Sequence, residues 1–141
     1  MTVMEHLRQY FMTFPGLQEH RLDIDCLQSK PESFSIDSVP SECVVQRYLD
    51  GSVVKRLLFT ISSRMYYSSE LAGQEENLQF FEDLENWVTQ KDMLMDLPDL
   101  GEKRRARSLE VTLSGYPFTV NEDEGLARYQ IQFRLIYLQE V

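Results

Sequence analysis

The sequence predicts an α+β protein, and three observations carry that prediction. A near-C-terminal segment, Ala127 to Gln139, alternates apolar and polar residues with a period of two. Two other segments repeat apolar residues at helical spacing, and an Asp50-Gly51 pair separates two β-rich runs. Successive strand side chains point to opposite faces, whereas helical neighbours recur every three or four positions.

Thr2-Val3-Met4-Glu5 has the Thr-x-x-Glu form of a capping box, in which each side chain satisfies a free amide at the helix start. Val3, Leu7, Tyr10, Phe11 and Phe14 then share one helical stripe, and Pro15-Gly16 stops it. A first helix over about 3–13 follows. Arg21 to Asp25 reads as a short strand with Leu22 and Ile24 on one side, broken by Lys30-Pro31-Glu32-Ser33. Ser35 to Pro40 reads as an extended edge or loop, because Pro40 has no amide to give a sheet ladder.

Cys43–Leu49 and Ser52–Ile61 form the clearest local motif, a hairpin across Asp50-Gly51. A two-residue type I′ turn places Tyr48 opposite Val53 and Val44 opposite Leu57. In that register Val45, Leu49, Val54 and Leu58 share a face with Arg47 and Arg56. One face of this sheet can then pack on the chain's own helices; a second subunit or edge loops cover the other.

Ser68-Ser69-Glu70 opens a second helix that reaches about Gln90. Leu78, Phe81, Leu84 and Val88, with Phe80 and Trp87, make its apolar face; Glu75, Glu76, Glu82, Asp83 and Glu85 make the wet one. Asp92 to Glu102 reads as a loop. It leads into Lys103-Arg104-Arg105-Ala106-Arg107, the one basic cluster of the chain. Leu109, Val111 and Leu113 mark a strand that Gly115-Tyr116-Pro117 bends or bulges. An acidic turn, Asn121 to Gly125, returns the chain into the terminal strand, so the last two strands form a long antiparallel hairpin.

At 141 residues the chain fits a single domain over 1–141. Its 23 acidic and 14 basic residues give a formal charge of -9, which argues against a protein devoted to gripping phosphate backbones. No run approaches the ~18 apolar residues of a membrane span, and the N-terminus lacks the features of a signal peptide, so cytosolic synthesis is expected. Cys26 and Cys43, with His6 and His20, lack the paired spacing of a zinc site, and reduced thiols are expected. No phosphate-binding glycine pattern and no nucleophile elbow occurs, and neither histidine has a recognisable positioning partner. The residues therefore indicate no catalytic, cofactor-binding or metal site. The Lys103 to Arg107 cluster could touch DNA phosphates, pair with the acidic helix or turn of a neighbouring molecule, or stand solvated.

Val45-Gln46-Arg47-Tyr48-Leu49-Asp50-Gly51-Ser52, Leu58-Phe59-Thr60, Asp96-Leu97-Pro98-Asp99-Leu100-Gly101, Ser114-Gly115-Tyr116 and Ala127 to Tyr137 together resemble the small minor capsid or tail-completion proteins of siphophages and prophages of Gram-positive bacteria. The resemblance runs nearly end to end, and the terminal motif is its most distinctive part. It implies a tail terminator-like fold, a mixed or mainly antiparallel sheet with two helices packed on one face. It also implies a homo-oligomeric ring, usually six subunits, that caps the tail tube and helps join head to tail in the virion. Tail-tube and head-connector proteins are then the partners, DNA is only passing cargo, and no cofactor or catalytic residue is carried over. A head-side connector is the alternative within the same resemblance; a small enzyme such as an acetyltransferase stands outside it. Under this reading Arg47 and Arg56 on one sheet face, and Arg128 and Arg134 on the terminal strand, are candidate subunit contacts. The segment Asp92 to Arg107, with Lys103, Arg104, Arg105 and Arg107, is the candidate contact to a neighbouring ring.

Overall fold

The computed structural model describes residues 1–67 and 71–141, without the side chains of residues 71 and 72. The described residues form α1 (Val3–Phe11), β1 (Leu22–Ile24), β2 (Ser33–Val39), β3 (Val44–Arg47), β4 (Val53–Tyr66), α2 (Leu71–Met93), β5 (Arg104–Asn121) and β6 (Leu126–Gln139). The strands make one mixed sheet in the order β1-β2-β4-β6-β5, with β3 also pairing β4. The β1–β2 pair is parallel and all others are antiparallel. The protein is thus α+β, and its described residues make a six-stranded mixed sheet and two α-helices.

The alternation in β6 decides which face is the core. Tyr129, Ile131, Phe133, Leu135 and Tyr137 are all buried, and each intervening residue is only partly so. Cross-strand partners continue the apolar face: Phe59 lies opposite Phe133, Ile61 opposite Ile131, and Leu109 opposite Leu135. Both helices pack on that face. Phe11 of α1 meets the rings of Phe59 and Phe133 at 5.8 and 5.2 Å, and Phe81 of α2 stacks on Tyr129 at 5.6 Å. Such aromatic pairs add ~0.5–1.5 kcal/mol beyond the area they bury, on top of the aliphatic contacts of Leu7, Leu84 and Val88 in the same core.

The capping box forms as expected: Thr2 Oγ1 accepts from the Glu5 amide, and the Glu5 carboxylate accepts from the Thr2 amide. In α2 the expected start at Ser68-Ser69-Glu70 lies outside the described residues, and the helix runs three residues beyond Gln90. Phe81, Leu84 and Val88 are buried, but Leu78 is 44 % exposed. The position that continues the inward line one turn earlier is Asn77, whose Nδ2 donates to the Tyr66 carbonyl at 2.8 Å.

Ser35 to Pro40 is extended, but it is an edge only in its second half: β1 pairs Phe34, Ser35 and Ile36, whereas Asp37, Ser38 and Val39 have a ladder partner on the β4 side alone. β2 lies inside the sheet, between β1 and β4. Pro40 acts at the strand's end, where it separates β2 from β3; both pair the same side of β4. The connection from β1 to β2 spans only residues 25–32, shorter than the dozen or so residues typical of parallel crossovers. Asp25 and Glu32, at φ +50° and +58°, turn the chain sharply at its two ends. It crosses the face opposite the helices. There the Cys26 amide donates to Ser35 Oγ, and the Gln28 carbonyl accepts from Ser33 Oγ and Arg64 Nε.

The hairpin at Asp50-Gly51 forms in a different register from the expected one. The Gly51 amide donates to the Tyr48 carbonyl, and the Tyr48 amide donates to the Ser52 carbonyl. The loop is therefore three residues, Leu49-Asp50-Gly51, with Gly51 at φ +93° in the left-handed position that such turns require. A bulge between Val44 and Gln46 shifts the strand again, so Val44 pairs Lys55 and Arg47 pairs Val53.

Candidate functional site

Alternation that sends Phe59, Ile61 and Ser63 toward the helices sends Arg56, Leu58, Thr60, Ser62 and Arg64 to the other face of β4. On β6 the same rule sends Arg128, Gln130, Gln132, Arg134 and Ile136 to that face. No helix among the described residues covers it, and only the 25–32 connection crosses its β2 side. Arg64 stands directly opposite Arg128, Ser62 opposite Gln130, Thr60 opposite Gln132 and Leu58 opposite Arg134. Four arginines thus share one surface of a chain whose formal charge is -9.

Their partners differ. Arg134 is paired with Glu110 on β5. The Arg64 Nε donates to the Gln28 carbonyl at 3.0 Å. The Arg128 guanidinium lies over the Phe118 ring, 5.6 Å from its centroid. Four shielded polar atoms on this face have no hydrogen-bond partner among the described residues: Arg56 Nε, Arg128 Nε, Ser62 Oγ and Asp37 Oδ2. Buried polar atoms are nearly always satisfied, so these four are exceptions gathered on one face of the sheet. Asp37 keeps one carboxylate oxygen engaged as acceptor from Ser35 Oγ at 2.6 Å.

The structure brings together three of the expected contact residues, Arg56, Arg128 and Arg134, and adds Arg64. It separates Arg47 from them. Arg47 pairs Val53, whose alternation follows Phe59 and Ile61, so Arg47 and Arg56 lie on opposite sides of the sheet rather than on one face. The three-residue turn is the cause, since a one-residue slip flips every side chain. Arg64 escaped the sequence reading because the strand was expected to end at Ile61. The signal was there in Leu58, Thr60, Ser62 and Arg64, but Ser62-Ser63 hid the alternation.

The basic cluster does not form one patch. β5 begins at Arg104, so the connecting loop is 94–103 and the last three cations alternate along a strand. Arg104 Nη2 donates to the Met1 carbonyl at 2.8 Å, and Arg105 pairs with Glu140 at 2.7 Å. The Lys103 carbonyl accepts the Glu140 amide, and Lys103 itself sits in a turn at φ +65°. Arg107 is exposed at the bulge between Ala106 and Ser108.

The same loop offers a different feature. The Asp96 amide donates to the Lys91 carbonyl and the Met95 amide to the Asp92 carbonyl, the two bonds of a Schellman helix end. Glycine usually takes the left-handed position of that motif; here Met95 occupies it at φ +56°. Met93, Leu94 and Met95 are each at least 67 % exposed, an apolar tip at the end of α2.

A cavity of about 370 Å³ lies between α2 and the sheet, lined by His20, Phe34, Met65, Tyr67, Asn77 and Phe80 among others. His20 packs at a tilt against Phe34, ring centroids 4.9 Å apart, and holds no charged partner within hydrogen-bond reach among the described residues. Cys26 and Cys43 are exposed free thiols. Among the described residues no group of three His, Cys, Asp or Glu side chains could hold a metal ion, and no helix is long and apolar enough to cross a membrane. No protein-family model matches the chain, and no curated protein is significantly similar to it.

Proposed function

We propose that the chain is a structural protein of a phage head–tail junction, a tail terminator-like subunit that assembles into a ring, caps the tail tube and helps join head to tail. The observation that carries this reading is the helix-free sheet face with its four arginines and unsatisfied polar atoms, set on the opposite side from an acidic helix. A chain with oppositely charged front and back favours heterologous association, which closes into a ring when the rotation permits. The terminal motif Ala127 to Tyr137, which resembles minor capsid and tail-completion proteins, supplies Arg128 and Arg134 to that face and Tyr129, Ile131, Phe133 and Leu135 to the core. In this role the chain acts through surfaces and not as an enzyme, with DNA passing through the ring unread and the virion junction as its location.

The test is light scattering across concentration with negative-stain imaging of the same sample. Closed rings with a central hole support the reading, and six-fold rings match the expected number. A strict monomer that also fails to bind isolated tail tubes overturns it. Presence of the protein on purified tails favours the terminator, whereas presence on tail-less heads favours a head-side connector.

A further inference from the structure

We propose that the helix-free sheet face, through Arg56 and Arg128, docks the outer face of α2 of a second copy, through Glu75, Glu82 and Asp83. This inference rests on the self-assembly part of the function proposed above and names the two surfaces that would meet. Three observations converge on it. The arginine face carries side-chain nitrogens, Arg56 Nε and Arg128 Nε, that are shielded yet unpaired among the described residues. Among the described residues, Arg134 is the only one of the four arginines with a carboxylate partner, Glu110. Arg56 and Arg128 are themselves partly exposed, and their side chains make no hydrogen bond or ion pair among the described residues, so their guanidinium groups suit an occupant that brings carboxylates, the acceptors they bind best.

The chain itself presents such acceptors on its opposite side. Glu75, Glu82 and Asp83 are exposed on α2, on the side away from the buried Phe81, Leu84 and Val88. None of these carboxylates belongs to an ion pair among the described residues; Asp83 only accepts a hydrogen bond from Gln79. Lys91 is the one cation among α2's residues Leu71–Met93, and it is paired with Asp96. Because the helices cover one sheet face and the arginines occupy the other, one molecule's back meets the next molecule's front. The contact is heterologous and uses each surface once per subunit.

A charge-swap complementation decides the matter. One variant carries Arg56→Glu and Arg128→Glu; the other carries Glu82→Lys and Asp83→Lys on the exposed helix face. Circular dichroism and thermal melting first verify that both fold, and the helix variant, altered only at exposed positions, keeps the test valid should the sheet variant unfold. Sedimentation velocity at low ionic strength then reads assembly. Each variant alone is expected to lose association by at least about tenfold in apparent Kd, the scale of a few interfacial charge pairs. Mixing the two is expected to restore it, since the acidic sheet face of one now meets the lysine-bearing helix of the other. Added salt weakens both the wild-type and the mixed assembly.

If either variant assembles like the wild type, this interface is wrong and the ring reading survives on other surfaces. If folded variants fail to reassemble on mixing, the interface is likewise wrong. A wild-type chain that stays monomeric yet binds a short DNA duplex through Arg56 and Arg128 assigns the face to phosphates and overturns self-docking.

Discussion

Arg64 and Arg128 face each other across the β4–β6 ladder, two cations in directly opposed positions of an antiparallel pair. Like charges so placed repel, and each is diverted to a separate partner, Arg64 to the Gln28 carbonyl and Arg128 to the Phe118 ring. A double-mutant cycle with Arg64→Gln and Arg128→Gln should return a repulsive coupling of ~0.2–1 kcal/mol in urea unfolding. An attractive or null coupling would mean that the two guanidinium groups are held too far apart to interact.

Met95 stands where the helix end favours glycine, at φ +56°. A left-handed L-residue costs ~1–2 kcal/mol, so Met95→Gly is expected to stabilise the fold by ~1 kcal/mol. The check is the urea midpoint. An unchanged or lowered midpoint would show that the methionine side chain contributes contacts that offset the strain, and the apolar tip would then belong to the fold rather than to a partner.

Gly115 lets β5 approach α2. A Cβ built there would lie 2.3 Å from the Cβ of Phe81, a clash that neither backbone can relieve by a side-chain rotation. Gly115→Ala should therefore destabilise by ~1–3 kcal/mol, the usual range for overpacking. Thermal melting that leaves the midpoint in place would show that the strand shifts freely at its bulges.

Tyr10 links the two ends of the helical layer, its hydroxyl donating to the Asp96 carbonyl at 2.9 Å. Burial, then the nearby Asp96 and Asp92 carboxylates, push its phenol well above the usual range, and burial raises Tyr137 as well. A raised folded-state pKa means that the folded chain holds the proton more tightly than the unfolded chain. That stability is fully present below about pH 10, the unfolded value, and falls as the pH rises above it. Tyr10→Phe should lower stability at neutral pH by ~1 kcal/mol through the lost hydrogen bond and flatten the alkaline decline. Unfolding curves from pH 8 to pH 11, on the order of one Tyr titration, provide the check.

Several elements were legible because their signals are local. The capping box, the terminal strand and its acidic turn form where the residues indicate, whereas α1 ends at Phe11, two residues early, and Pro15-Gly16 open a short 3-10 turn. The bend expected at Gly115-Tyr116-Pro117 appears as register shifts on either side of Tyr116 and Pro117. The candidate surface was half legible. Arg128 and Arg134 follow from the alternation of β6, and Arg56 from that of β4, but Arg47 was assigned to their side through a turn one residue too short.

What the sequence determined by itself was the two helices, the terminal hairpin and the inward face of β6, because periodicity and capping depend on neighbours a few residues away. Tertiary structure alone decided the strand order, the placement of β2 inside the sheet and the splitting of the Lys103 to Arg107 cluster between internal partners. It also set Arg64 against Arg128, residues 64 positions apart in sequence, because ladder register couples distant strands. One bulge or one extra turn residue reverses the side on which a charge stands, and no local pattern records that outcome.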